Sequence, residues 1–143
     1  MPGRDDLHRR LHDALFLRKA DGRGLGMYIL DAAGEPVEVT DPMEWSQWFG
    51  TEIEARTVAK TNVGDIVDVS TVFLGIDHRF SGTGPPVLWE TMVFVMIPPP
   101  PAVLRVSGDV LRWHDYQQRY TSRVAAVRGH NEVVQEIRAS LTG

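Results

Sequence analysis

The chain contains no cysteine and no long hydrophobic run. Without cysteine, disulfide bonds, thiolate metal sites and cysteine nucleophiles are excluded. No apolar stretch approaches the roughly 20 residues that a transmembrane helix needs, and the N-terminal residues lack the apolar core of a signal peptide. We therefore expect a soluble cytoplasmic protein in which residues 1–143 form a single domain.

Basic residues are scarce in the middle of the chain. Only four of the 15 Lys and Arg residues lie between positions 27 and 111, against twelve of the 19 Asp and Glu residues. Contacts to nucleic-acid phosphates need clustered Lys and Arg. The charge pattern therefore argues against specific nucleic-acid binding, while a hydrophobic content of 43% is that of an ordinary globular domain.

Apolar periodicity predicts helices near both ends of the chain. Residues 5–20 place leucines on one face and charges opposite. Residues 122–141 carry an apolar stripe that includes Val127, Val134 and Ile137. A third helix is predicted from Pro42 to residue 49, because a capping oxygen followed by proline is typical of a helix start.

The intervening residues favour strands. Val, Ile, Thr, Phe and Trp crowd two apolar arms around a Gly- and Pro-rich loop, which predicts a long-looped hairpin over residues 69–94. Other strands are predicted at residues 27–30, 37–39, 55–61 and 103–106. Four prolines after Ile97 predict an extended connector. This order indicates an α+β fold, with a mostly antiparallel sheet, a long C-terminal helix packed on one face and an extra N-terminal helix.

Glu90 is the first candidate site residue. In a strand its side chain shares a face with Leu88, Met92 and Phe94, because alternate residues point to opposite faces. A carboxylate in so apolar a row is costly unless it is paired or hydrogen-bonded. It is therefore either a ligand contact, metal ligand or general base, or the partner of a neighbouring arginine or strand-edge amide.

The hairpin loop supplies a second group, Asp77, His78 and Arg79. Its position, where a strand gives way to a glycine-rich segment, is common for binding residues. The Arg79 guanidinium suits phosphate or carboxylate, and His78 can donate, accept or bind metal. The alternative is a turn in which Asp77 caps backbone amides and His78 faces water.

Two further basic residues come from the strand predicted at 55–61, where Arg56 and Lys60 share a face by the period of two. We expect Arg56 or Lys60 to line one pocket with His78, Arg79 and Glu90. The predicted ligand-binding residues are Arg56, Lys60, Asp77, His78, Arg79 and Glu90.

Histidine and tryptophan occur at other informative positions. His130 lies inside the apolar stripe of the last helix, where a hydrogen-bonded core histidine is the more common interpretation. Gly129 beside it costs helix stability, which a close approach at that point explains. Trp45 and Trp48 lie on one side of the helix that begins at Pro42, as core or interface side chains do. Four tryptophans in a small domain, with long apolar rows, predict a homodimer or larger homo-oligomer.

Several stretches resemble a family of small proteins of tailed phages and prophages. They are MYILDAAGEPVEV, MEWSQWF, RTVAKTNVGDIVDVSTVFLGIDHRF, GPPVLWETMVF and, more weakly, RYTSRVAAVRGHNEVV. The resemblance implies a phage context and no particular activity. It begins near Met27, so residues 1–26 look like an added helical extension or a mis-set start, and residues 97–116 look like an insertion.

Three function classes compete. We favour a phage-type, non-catalytic protein that binds and sequesters a small anionic ligand, such as a nucleotide signal of host defence, without metal or cofactor. The second is a metal-dependent hydrolase that uses Asp77, His78 and Glu90, with His130 as a possible fourth ligand. The third is an interaction module that inhibits a host factor through the tryptophan helix or the polyproline tract.

Overall fold

The structure is a computed structural model and describes residues 26–79, 82–96 and 111–142. The chain separates into two compact units. The first unit is Met1–Arg56 with Leu74–Leu88, and the second is Thr57–Phe73 with Trp89–Gly143. The single domain expected from chain length stays a prediction. Among the described residues, no helix has the length and apolar character needed to cross a membrane.

The first unit contains a two-stranded antiparallel sheet and two helices. Strand β1 (Met27–Leu30) pairs with β2 (Pro36–Val39). Helix α1 (Pro42–Thr51) begins where the Asp41 side chain accepts a hydrogen bond from the Met43 amide, as the sequence predicted. A one-turn helix, α2 (Ile53–Arg56), follows.

The core of the first unit depends on a close approach between α1 and the loop after residue 73. The core side chains are Met27, Val39, Trp45 and Phe49. Trp45 Nε1 donates to the Gly75 carbonyl at 2.9 Å, which satisfies the indole N–H inside the core. A Cβ at Gly75 would lie 3.0 Å from Trp45 Nε1, and the residue has a φ of +74°. Glycine is therefore required there for both space and backbone conformation.

The second unit is a four-stranded antiparallel sheet covered by a long helix. Its strands, in the order β3-β4-β5-β6, are β3 (Thr57–Val63), β4 (Val67–Phe73), β5 (Trp89–Val95) and β6 (Gln117–Tyr120). The hairpin predicted over residues 69–94 is β4 and β5, and its place at the centre of the sheet is confirmed. β6 was not predicted.

The C-terminal helix, α3 (Arg123–Thr142), packs on this sheet, and the predicted α+β fold is confirmed. Ser122 Oγ accepts a hydrogen bond from the Ala125 amide and caps the helix start. Val134 and Ile137 are buried as predicted, but Val127 is 40% exposed, so its assignment to the core was wrong. The buried face of α3 instead includes Ala126, the residue before Val127, which is fully buried.

One predicted strand began too early. Ala55 and Arg56 belong to α2, and β3 starts at Thr57 with a register irregularity before Ala59. Arg56 and Lys60 therefore do not alternate along a single regular strand, and the argument that they share a face was wrong. The predictions for residues 5–20, 97–101 and 103–106 lie outside the described residues, so the N-terminal helix and the polyproline connector are untested.

Candidate functional site

Asp77 braces the loop in which it lies. Its side chain is completely buried. Oδ1 accepts hydrogen bonds from the amides of Arg79 at 2.9 Å and Val87 at 3.0 Å, and Oδ2 accepts from Arg79 Nε at 2.7 Å. Arg79 Nη1 also donates to the Gly84 carbonyl. His78 is partly buried, and its amide donates to the Val87 carbonyl at 3.0 Å. Asp77 thus caps backbone amides, as in the structural alternative.

Arg56 has structural partners inside the first unit. Its Nε donates to the Phe49 carbonyl at 2.9 Å, and its guanidinium carbon lies 4.0 Å from the centroid of the Phe49 ring. The residue is only 7% exposed. This guanidinium stabilises the end of α1 by a hydrogen bond and a cation–π contact.

Glu90 is buried in the second unit and pairs across the sheet. Arg119 on β6 lies directly opposite it in the register, with 3.0 Å between Arg119 Nε and Glu90 Oε2. Gln117 Nε2 donates to the same oxygen. This is the arginine pairing that the sequence left as an alternative. Lys60 is exposed on β3, opposite Ser70 of β4.

The six predicted ligand-binding residues therefore fall in both units. Asp77, His78 and Arg79 lie together in one loop of the first unit, which also holds Arg56, while Lys60 and Glu90 belong to the second unit. Their convergence on one pocket stays a prediction. Over residues 26–79, 82–96 and 111–142, no cluster of three or more His, Cys, Asp or Glu residues is placed to hold a metal ion.

His130 is the centre of a buried chain of hydrogen bonds in the second unit. It is 2% exposed, and both ring nitrogens lie 2.8 Å from threonine hydroxyls, Nε2 from Thr61 and Nδ1 from Thr71. Thr71 Oγ1 lies 2.6 Å from Thr91 Oγ1, to which the Tyr120 hydroxyl donates at 3.1 Å. Burial lowers the pKa of His130 below its ordinary value of 6.5. The expected hydrogen-bonded core histidine is therefore observed.

This series of hydrogen bonds ends at the Tyr120 hydroxyl. Tyr120 lies in the wall of a groove between β6 and α3. The groove has a volume of about 320 Å³. We call it the aromatic–acidic groove. It is lined by Trp113, Tyr116, Gln118, Tyr120, Gly129, Glu132, Val133 and Glu136.

Aromatic side chains form one wall of this groove. The rings of Trp113 and Tyr116 meet edge to face with centroids 5.0 Å apart. Trp113 is 7% exposed, and its Nε1–H is buried with no acceptor among the described residues. Buried indole N–H groups usually have a partner. The unpaired donor belongs to a residue of the groove wall, and the same residue also lines an adjoining cavity.

The opposite wall is acidic. Glu132 and Glu136 are one helical turn apart on α3, and both side chains are exposed. The pKa of Tyr116 is raised, first by burial and then by the nearby Tyr120, Glu136 and Glu132. Arg112 lies 5.5 Å above the Trp113 ring and lines an adjoining cavity instead. The charged residues that line the groove itself are therefore both acidic among the described residues, while Arg112 lies in the adjoining cavity beside the same Trp113, Tyr116 and Glu136.

Sequence reasoning missed this groove. Tyr116, Gln118 and Tyr120 alternate with a period of two, a strand signal that was hidden because residues 97–116 were treated as an insertion. The i, i+4 spacing of Glu132 and Glu136 was also visible, but such pairs usually belong to a solvated helix face.

No protein-family model, curated protein or solved structure matches this chain. The resemblance to a phage protein family stays a prediction.

Proposed function

We propose that this chain is a non-catalytic binding protein that captures a small organic cation in the aromatic–acidic groove. The observation that carries the proposal is the composition of the groove. Three aromatic side chains and two carboxylates line one cavity, and none of the described lining residues is basic. A volume of about 320 Å³ suits a small ligand.

An ammonium or guanidinium group fits both walls. Aromatic faces attract cations through the ring quadrupole, and the carboxylates of Glu132 and Glu136 supply the opposite charge.

The sequence predicted an anionic ligand held by Arg79 and His78 together with a basic residue of the neighbouring strand, Arg56 or Lys60. Arg79 is bonded to Asp77 and Gly84, and Arg56 to Phe49. Because these contacts occupy both guanidinium groups, the composition of the groove gives stronger support to a cation. Capture without chemistry, the class favoured from the sequence, is retained.

The test is a titration of the purified full chain, followed by NMR, with n-butylguanidinium and its neutral isostere n-butylurea. The cation is expected to bind and shift signals of Trp113 and Tyr116, with at least about tenfold higher affinity than the urea, since a charge-assisted contact is worth about 1.5–3 kcal/mol. Equal affinity for the two probes would overturn the proposal.

A pair of matched variants locates the site. Glu132→Gln combined with Glu136→Gln removes two carboxylates from the groove and is expected to abolish the preference for the cation. Glu35→Gln combined with Glu38→Gln removes two exposed carboxylates near β2 and is expected to leave binding unchanged. If one nucleotide of a test panel bound tightly and was recovered intact, the result would instead support the anionic ligand predicted from the sequence.

Self-association and the phage context remain parts of the proposal that rest on the sequence. Phe94 on β5 is 50% exposed, and Met96, just after the strand, is 41% exposed. These exposed apolar side chains support a contact between copies of the protein. Native mass spectrometry of the freshly purified protein measures the oligomeric state and any retained ligand together, and a monomer at high micromolar concentration would contradict self-association.

A further inference from the structure

The hydroxyl–histidine chain beneath the groove has a definite direction. The Tyr120 hydroxyl donates to Thr91 Oγ1 at 3.1 Å, as expected for a phenol, which is a better donor than an aliphatic hydroxyl. Thr91 then has its own hydrogen to donate, and the hydroxyl next to it in the series of hydrogen bonds is Thr71 Oγ1, 2.6 Å away. In this direction Thr71 would donate in turn to Nδ1 of His130, which lies 2.8 Å from its hydroxyl oxygen.

The same direction fixes the tautomer of the imidazole. With Nδ1 acting as acceptor, a neutral ring carries its proton on Nε2, and Nε2–H donates to Thr61 Oγ1 at 2.8 Å. Burial lowers the pKa of His130, so the ring is neutral at neutral pH. Each hydroxyl from Tyr120 to Thr71 then donates once toward the histidine.

This direction determines what Tyr120 offers the ligand. Its hydrogen is used on Thr91, so the phenol oxygen has only lone pairs left for other partners. That oxygen lies beside Gly129, another residue of the groove wall, where an added Cβ would be 2.1 Å from it. The carboxylates of Glu132 and Glu136 are acceptors as well.

We infer that the buried chain from His130 to Tyr120 makes the groove selective for cations that carry N–H donors, that is, for primary ammonium or guanidinium groups over quaternary ammonium groups. This inference rests on the proposed function and narrows its ligand class. His130 acts through Thr71 and Thr91 and is a positioning residue.

The experiment compares n-butylammonium with n-butyltrimethylammonium, which has the same charge and no N–H. An aromatic cage alone binds a quaternary ammonium well, so the ratio of the two affinities reports the hydrogen bond. The wild-type chain is expected to prefer the primary amine by about fivefold or more. Equal binding, or a preference for the quaternary probe, would overturn the inference and leave the proposed function standing.

A matched pair of variants tests whether the hydrogen bonds between His130 and Tyr120 control the selectivity. Thr91→Val interrupts this series of hydrogen bonds and frees the Tyr120 hydrogen, so the preference for the primary amine is expected to fall to the level that the two carboxylates provide alone. Thr91→Ser keeps the hydroxyl and is expected to keep the preference. If Thr91→Val retained the wild-type ratio, the chain would have no role in selectivity.

The tautomer of His130 gives a readout that needs no ligand. Long-range ¹H–¹⁵N correlations of the imidazole are expected to show a proton on Nε2 and a bare Nδ1. A proton on Nδ1 would reverse the chain and overturn the inference. If the amine and guanidinium probes all fail to bind, the proposed function falls and with it the ligand selectivity.

Discussion

Replacement of Gly129 by alanine is expected to destabilise the protein, which is the opposite of the usual effect. Glycine in a helix interior costs about 1 kcal/mol relative to alanine, so the substitution normally stabilises a helix such as α3. Here a Cβ would lie 2.1 Å from Tyr120 Oη and 2.5 Å from its Cζ. Real Cβ atoms do not come so close to other heavy atoms, so the phenol ring must move.

The magnitude follows from what that movement breaks. Displacing the ring loses the 3.1 Å hydrogen bond from Tyr120 to Thr91, worth about 1 kcal/mol. Overpacking of a well-packed site typically costs about 1–3 kcal/mol. Against the gain of about 1 kcal/mol in helix propensity, the net loss of unfolding free energy is expected to be about 1–3 kcal/mol.

The assay is equilibrium unfolding in urea, arranged as a double-mutant cycle. In a Tyr120→Ala background the obstacle is gone, and Gly129→Ala is expected to raise stability by about 1 kcal/mol. Gly50 in α1, which has nothing within 4 Å of an added Cβ, is the matched control, and Gly50→Ala is expected to stabilise. A gain in stability for Gly129→Ala in the wild-type background would refute the close approach.

Three other outcomes are expected. Ile137→Asp, at a fully buried position, should lower the unfolding free energy by more than about 2 kcal/mol, whereas Val127→Asp at a 40% exposed position should change it little. Because the pKa of His130 is lower in the folded state, stability is full above the unfolded-state pKa of about 6.5. Below that pH the unfolding free energy should fall by up to about 1.4 kcal/mol per pH unit until the folded-state pKa is reached. His130→Gln should remove this pH dependence. The control His114→Gln, at a 57% exposed side chain, should leave it in place. Asp77→Ala leaves two amides without their acceptor and should cost more stability than Asp77→Asn, which keeps one oxygen; equal losses would contradict the bracing role.

Local signals were sufficient for part of the fold. Asp41 before Pro42 predicted the start of α1, and the apolar arms predicted the central hairpin, because in both cases neighbouring residues alone determine the structure. The presence of Gly129 within a helical stripe also indicated a close approach, and Tyr120 is the group that approaches. Likewise, a histidine amid apolar residues is expected to be hydrogen-bonded, and two threonines fill that role.

Tertiary contacts decided the remainder. Arg56 lies in the short helix α2 and not in β3. Its side chain donates a hydrogen bond to the carbonyl of Phe49, seven residues earlier, a contact that the strand pattern does not show. The strand signal of β6 is weak because Tyr120 is its only aromatic residue, and the strand forms where β5 offers an edge and Glu90 offers Arg119 a partner. The groove joins β6 to α3, so it could not be recognised before that strand was.

The division of the chain into two units limits how the protein can be shortened or recombined. The first unit uses residues up to 56 and then residues 74–88, which follow β4 and precede β5 in the amino-acid sequence. A fragment that starts at residue 57 would still carry Leu74 and Leu88, which are buried at 2% and 0% exposure in the complete chain, without β1 and α1 of their own unit. Neither unit is formed by one continuous segment of the amino-acid sequence. A genetic exchange that replaces one of them intact therefore needs crossovers on both sides of residues 74–88 as well as near residue 56, and a single cut leaves both units incomplete.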